Sequence, residues 1–319
     1  MCYSAEIVAI HKRFRNWTGA GISLKEFYDL YFRRAQGGKI KIPKAMDAGF
    51  QEPENDEEAS IKDLIAKFNS DEATKTEQEL FKQRKRLADA ERALLVKATK
   101  AAQESQRIAT DKIGKALLKL DDLRRTDLKP RDSRIYPGIY GLVMVSEGGQ
   151  RVVKPMRYQC RPAGKPANYD ARYPGTYNAR SDNLEGFWKG LFGYSHGIMI
   201  ANAFYENVPL HMAEGRALEA GELEQNTVLE FRPKPTQEML IACLWSRWTA
   251  QGEPELLSFA AITDDPPPEV AAAGHDRCIV QIKPENVDAW LNPDPHNLAD
   301  LYRILADRPM AIYEHRIAA

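Results

Sequence analysis

Cys2 directly follows the initiator methionine, and removal of that one residue would leave a cysteine whose free amine and thiol share a Cα. Such a pair captures an aldehyde twice: nitrogen condenses to an imine with loss of water, then sulfur closes the imine into a five-membered thiazolidine. An α-amine titrates at about 7.7–8.0 and a thiol at about 8.5, so both reach their nucleophilic forms near neutral pH. A single cysteine is equally compatible with a position of no chemical consequence. Three polar clusters downstream are candidates to work with it. Asn178-Ala179-Arg180-Ser181-Asp182 follows the Pro174-Gly175 turn, Ala203-Phe204-Tyr205-Glu206-Asn207 ends an apolar run on a carboxylate, and His275-Asp276-Arg277 precedes a strand-like segment. Each also has an ordinary structural reading. Asn178 could cap a turn, Arg180 pair with a surface acid, Glu206 end a solvated strand, and His275 satisfy a loop carbonyl.

The elements that must hold these clusters fall into three textures. Residues 23–34 open with a capping-box pattern, Ser23 and Glu26, and stack Phe27, Leu30 and Tyr31 at helical spacing. Residues 53–128 are dense in Glu, Lys, Arg and Ala, with Leu80, Leu87 and Leu94 and then Ile113, Leu117 and Leu120 at helical steps; the pattern predicts two long charged helices, either a solvated hairpin or an arm for a partner. After Pro130 short β-like runs dominate. Residues 139–145 and 151–156 flank Ser146-Glu147-Gly148-Gly149, a predicted hairpin, and further strands are expected at 197–205, 227–231, 240–245, 257–262 and 278–282. The expected class is α+β: a mixed or antiparallel, barrel-like sheet with flanking helices, read as one domain over 1–319 with 53–128 inserted.

Composition narrows the function. A 319-residue chain that is 43% hydrophobic can bury a real core. No apolar stretch approaches the ~18 residues of a membrane span, and the N-terminus lacks the order of a signal peptide, so a soluble cytoplasmic protein is expected. The cysteines, Cys2, Cys160, Cys243 and Cys278, lack CxxC spacing, which argues against a zinc site or a disulfide framework. A formal net charge of zero gives no global pull towards polyanions, so any nucleic-acid contact needs a local basic groove. Arg157, Tyr158, Arg161, Arg172 and Tyr173 form one basic, aromatic stretch that could supply it.

Taken in order, Cys2, Asn-Ala-Arg-Ser at 178–181, Phe-Tyr-Glu at 204–206 and His-Asp-Arg at 275–277 resemble the SOS response-associated peptidase (SRAP) family, abasic-site shielding proteins that crosslink to damaged single-stranded DNA. Ala242-Cys243-Leu244-Trp245, Phe259-Ala260-Ala261-Ile262-Thr263 and Trp290-Leu291 extend the likeness, which covers the first residues and roughly 136–291 and leaves 53–128 unexplained. The resemblance implies Cys2 as nucleophile after loss of Met1, Glu206 as the acid that opens the sugar, His275 as proton shuttle, and Asn178 as the group holding amine and sugar hydroxyl together. It implies Arg180 and Ser181 as phosphate contacts, with Arg157, Tyr158 and Arg161 in the DNA groove. No metal or organic cofactor is implied, and a monomer is expected. Many relatives open with Cys-Gly-Arg, where this chain has Cys2-Tyr3-Ser4, and the usual Trp-Gly-Leu before a proline is Tyr158-Gln159-Cys160 here. The leading expectation is covalent shielding of abasic sites, with self-removal of Met1 and lyase-type reversal as accompanying activities. The alternative is a cysteine peptidase built on Cys2, His275 and Asn178.

Overall fold

The computed structural model describes residues 3–309 and 311–318. The chain divides into two compact units. The first comprises Met1–Leu30, Lys39–Glu52 and Lys129–Ala319; the second comprises Tyr31–Gly38 and Pro53–Leu128.

The first unit is built on twelve strands: β1 (Ser4–Ile7), β2 (Gly21–Ile22), β3 (Arg134–Ile135), β4 (Tyr140–Glu147), β5 (Gln150–Tyr158), β6 (Asn178–Arg180), β7 (His196–Pro209), β8 (Asn226–Lys234), β9 (Met239–Ala250), β10 (Glu253–Asp264), β11 (Cys278–Ile279) and β12 (Ile312–Ile317). All join one mixed sheet, so the α+β class expected from the sequence is the class observed. Most neighbours are antiparallel, while β10 runs parallel to β5 and β6, and β2 parallel to β5. Five strands link into a closed ring, β5 to β4, β4 to β7, β7 to β9, β9 to β10 and β10 back to β5. Ile198, Ile241, Phe259, Ile262, Met144 and Met156 along those strands are buried, and the apolar area they withdraw from water is the main force closing the ring.

Local chemistry sets the turns. β4 and β5 meet with Glu147 opposite Gln150, and the two residues between, Gly148 and Gly149, have φ of 57° and 77°. Two successive positive φ values make the turn whose twist matches the flanking strands, and glycine adopts them without strain. Three short helices precede the sheet's main strands: α1 (His11–Thr18), α2 (Leu24–Ala35) and α3 (Lys44–Ala48). The capping box expected at the start of α2 is not made. Ser23 N–H donates instead to the Val153 carbonyl at 3.2 Å, and the Glu26 carboxylate accepts from Lys154 at 2.8 Å, because a neighbouring strand supplies stronger partners than the helix end itself.

The second unit is dominated by α4 (Asp56–Val96) and α5 (Lys100–Arg124). Asn55 caps α4, its side chain accepting from Glu58 N–H at 2.9 Å, with Asp56, Glu57 and Glu58 in the first turn; cap and acids both answer the exposed amides and the helix dipole. Thr99 caps α5 through Ala102 N–H at 3.2 Å. The helices run antiparallel, with Lys119 on Glu72 at 2.7 Å and Arg86 on Ser105 at 2.9 Å. Leu80, Ala116 and Leu120 form their apolar contact, flanked by Ala73 and Ile113. No helix among the described residues is long and apolar enough to cross a membrane.

Candidate functional site

Glu206 lies near the end of β7, opposite Leu229 of β8, and is fully buried. The residue facing it arrives from a turn. A short helix, Pro268–Ala272, is followed two residues on by Gly274, whose φ of +92° and a Met212 Cβ that would stand 2.8 Å from any added Cβ both demand glycine. The next residue, His275, is thereby turned inwards: it is 7% exposed, and its Nε2 stands 3.0 Å from Glu206 Oε2. Its Nδ1 lies 2.8 Å from the Arg277 carbonyl. A carbonyl can only accept, so Nδ1 carries a proton and donates it. The 3.0 Å between Nε2 and Oε2 is an ion-pair distance, close enough for an imidazole nitrogen and a carboxyl oxygen to exchange a proton. Burial pushes the His275 pKa below its ordinary value, which favours the neutral imidazole. Cys278, on the strand that follows, is buried and its thiol is pushed up by desolvation, which makes it inert beside the pair.

Asn178 comes from a different part of the sheet. β6 runs parallel to β10, setting Asn178 beside Ala261 and Arg180 beside Thr263. Asn178 is 6% exposed, and its side-chain oxygen and nitrogen have no hydrogen-bond partner among the described residues. An amide in that state has been desolvated without compensation, a cost of about 1–3 kcal/mol that a ligand could repay.

The N-terminal strand connects the two. β1 pairs antiparallel with β7, placing Ser4 opposite Tyr205, the residue before Glu206. Tyr3 sets its ring edge-on to Tyr177, the residue before Asn178, at 6.3 Å, and to Tyr136 at 5.5 Å. Tyr3 and Ser4 therefore stand beside the Asn178 and Glu206 segments. Cys2 itself lies outside the described residues.

Of the remaining residues singled out from sequence, Arg180 is half exposed and forks onto Asp182, with Nε to Oδ1 at 2.9 Å. Ser181 donates to Asp264, which also takes Arg308. Arg157 and Arg161 both close on the Asp170 carboxylate, at 2.6 and 2.5 Å, and the Arg161 guanidinium lies 4.4 Å over Trp248. Tyr158 is buried and stacks on Phe259 at 5.2 Å. These three brace the loop 159–177 against the sheet, and Tyr158 offers no open face to a base. Exposed aromatic surface in this stretch comes from Tyr173, with Tyr169 at 4.6 Å and Arg172 over the Tyr173 ring. Sequence reading missed Arg134. Its Nε donates to Ser4 Oγ at 3.0 Å and its guanidinium lies 3.6 Å over Tyr205, so a cation from β3 stands at position 4, where an arginine was expected from the N-terminal motif. Among the described residues no group of His, Cys, Asp and Glu is arranged to hold a metal ion.

A family model described as SOS response associated peptidase (SRAP) matches residues 62–317. Two solved structures from Bordetella bronchiseptica are similar. One, a protein 17% identical, has a TM-score of 0.47 over 61% of this chain and 90% of its own. The other, a phage-related protein 22% identical, has a TM-score of 0.42 over 58% and 80%. A protein from Bacteroides thetaiotaomicron, 16% identical, has a TM-score of 0.45 over 58% of this chain and 77% of its own. No curated relative matches by sequence.

Proposed function

Because the chain belongs to the SOS response-associated peptidase family, we propose that it shields abasic sites in single-stranded DNA by bonding to them covalently through Cys2. Loss of Met1 exposes the Cys2 amine. The ring-opened abasic sugar presents an aldehyde; the amine adds to it and water leaves, giving an imine, and the thiol then adds across the carbon–nitrogen bond, its proton passing to nitrogen, to close a thiazolidine. Glu206, as the acid of the pair, protonates the ring oxygen as the sugar opens and the departing hydroxyl as water forms. His275 takes the proton back. Asn178, desolvated and uncompensated, binds the amine or a sugar hydroxyl and fixes the approach. Arg134 supplies the cation beside the first strand and takes a neighbouring phosphate. On this reading residues 1–319 form one such domain, with 53–128 as an insertion.

The observation that carries the proposal is the pairing of Ser4 with Tyr205, next to a buried carboxyl–imidazole pair. A first strand that pairs beside an acid–base pair suits chemistry that needs an α-amine. The peptidase alternative needs Asn178 to orient His275, yet the Arg277 carbonyl holds that ring at Nδ1 and Asn178 makes no hydrogen bond to it.

Mixing the purified protein with single-stranded DNA carrying one abasic site, followed by denaturing electrophoresis, tests the proposal. A covalent band is expected, absent with Cys2→Ala and absent when Met1 is prevented from leaving. A wild-type protein that yields no band overturns it.

A further inference from the structure

The helical hairpin is divided by charge. Residues 80–115, its distal half, carry ten Lys and Arg against four Asp and Glu, while the remainder of 53–128 carries six against twelve. Three of the four distal acids are already engaged by neighbouring cations: Asp89 by Arg92, Glu104 by Arg107 and Asp111 by Lys115. Lys82, Arg84, Lys85, Lys97 and Lys100 are exposed and have no ionic partner among the described residues. From Lys82 to Lys97 these cations span roughly 22 Å of helix. Lys82, Lys85 and Arg86 border an open cleft between α4 and α5 whose lining includes Ala90, Ala93, Ala102 and one acid, Asp89, which Arg92 already engages. Phe81, 76% exposed, sits one residue before Lys82 and one helical turn from Lys85.

A cluster of cations that outnumber the neighbouring acids is costly through self-repulsion unless a polyanion is met. Five such charges along one arm neutralise successive phosphates and release their counterions. An exposed aromatic ring among the cations adds the stacking surface that strands with unpaired bases use, and a duplex or a protein carboxylate would not reach it in the same way. We infer that the distal half of the hairpin is a sequence-independent binding arm for the phosphodiester backbone of single-stranded nucleic acid. The inference uses only second-unit residues and goes beyond the crosslinking reaction.

Fluorescence anisotropy of an intact oligothymidylate, which carries no aldehyde, reads backbone binding without crosslinking, and the arm's share of it is the part that second-unit variants remove. With the full chain the binding constant should fall steeply as salt rises. Lys82→Gln/Arg84→Gln/Lys85→Gln should weaken binding about tenfold or more at low salt and flatten the log–log salt slope by about two, as expected for three lost phosphate contacts. Phe81→Ala should weaken it at least about fivefold, the lower bound for one stacked base. Far-UV circular dichroism checks that helix content is kept; should the triple variant lose helix, Lys97→Gln/Lys100→Gln beyond the cleft gives the same reading with a slope change of about one to two. Unchanged affinity and slope in the folded variants overturn the inference. So does wild-type capture by phosphatidylserine vesicles that the variants lose while oligothymidylate binding is untouched, since the arm would then be a membrane contact. Failure of the crosslinking gel leaves this measurement as it stands.

Discussion

On the proposed reading, the close pair of Glu206 and His275 separates chemistry from binding at the level of single residues. Glu206→Gln keeps size and a hydrogen bond but cannot deliver a proton, so the crosslinking rate should fall about 100-fold or more, with affinity for single-stranded DNA within about twofold. Arg134→Ala should do the reverse. Loss of one charge-assisted contact, about 1.5–3 kcal/mol, weakens DNA binding roughly tenfold or more while the rate at saturating DNA stays near wild type. Stopped-time gels across a DNA titration distinguish the two, and equal losses in rate and affinity for the glutamate variant would make it a binding group. A second histidine makes a different prediction. His196 accepts from Gly193 N–H at 2.9 Å through Nε2 and donates from Nδ1 to the Trp290 carbonyl at 3.0 Å, so the neutral ring is fully satisfied, and burial pushes its pKa down to about 3. The unfolded chain takes up that proton near pH ~6.5 and the folded chain only near 3. Stability from this group is therefore complete above pH 6.5 and drains as pH falls towards 3, by up to about 1.4 kcal/mol per unit. His275, also pushed down by burial, acts with the same sign. Urea midpoints measured from pH 7 to 4 should fall, and fall less steeply in His196→Gln; parallel slopes would show that the buried ring does not set acid sensitivity.

Among the elements, β5 carries the least expected side chain. Lys154 is 1% exposed and reaches Glu26 of α2 at 2.8 Å and Glu147 of β4 at 2.6 Å, so one cation ties a helix and a hairpin strand to the same point. Lys154→Met should cost about 3 kcal/mol, since it leaves a mostly buried Glu26 with only Arg247, at 4.0 Å, whereas Glu147→Gln should cost under about 1 kcal/mol because Glu147 is 44% exposed and Lys154 keeps its other partner. Denaturant midpoints with unchanged m-values check both, and equal costs would mean that Glu147, not Glu26, holds the cation. The same strand shows what sequence could and could not reveal. Its hairpin with β4 was legible because Gly148-Gly149 is a local signal, and so were the two long helices from their composition. The packing of 157–161 was not. Whether Arg157 and Arg161 face phosphate or protein depends on Asp170, and whether Tyr158 faces out depends on β10, which binds β5 from a hundred residues away. Arg134 was equally hidden, since only the pairing of β3 with β1 brings it to Ser4. Glu206 and His275 could be singled out by type, but their 3.0 Å contact rests on a glycine turn and a strand end that no local pattern joins.

Across the whole molecule, the two units differ in how much each residue buries. In α4 only Glu58, Ile61, Ile65, Thr76, Leu80, Gln83 and Ala90 of 41 residues are buried, and in α5 only Ala102, Ala109, Ala116 and Leu120 of 25. By contrast, β7 is buried along nearly its whole length and pairs with strands on both sides. Helix amides bonded within their own chain segment can open a turn at a time, while a central strand must part from several neighbours at once, so opening costs differ between near zero and the full unfolding free energy. Hydrogen–deuterium exchange should show peptides from 82–108 exchanging orders of magnitude faster than peptides from 197–206 and 257–263. Single-stranded oligothymidylate should slow the former if the hairpin is the arm inferred above, while covalent capture of an abasic strand should in addition slow peptides around 204–206 and 275–278 as the site fills. Uniform protection across both units would mean that the hairpin gains its stability from something other than the small apolar seam at Leu80, Ala116 and Leu120.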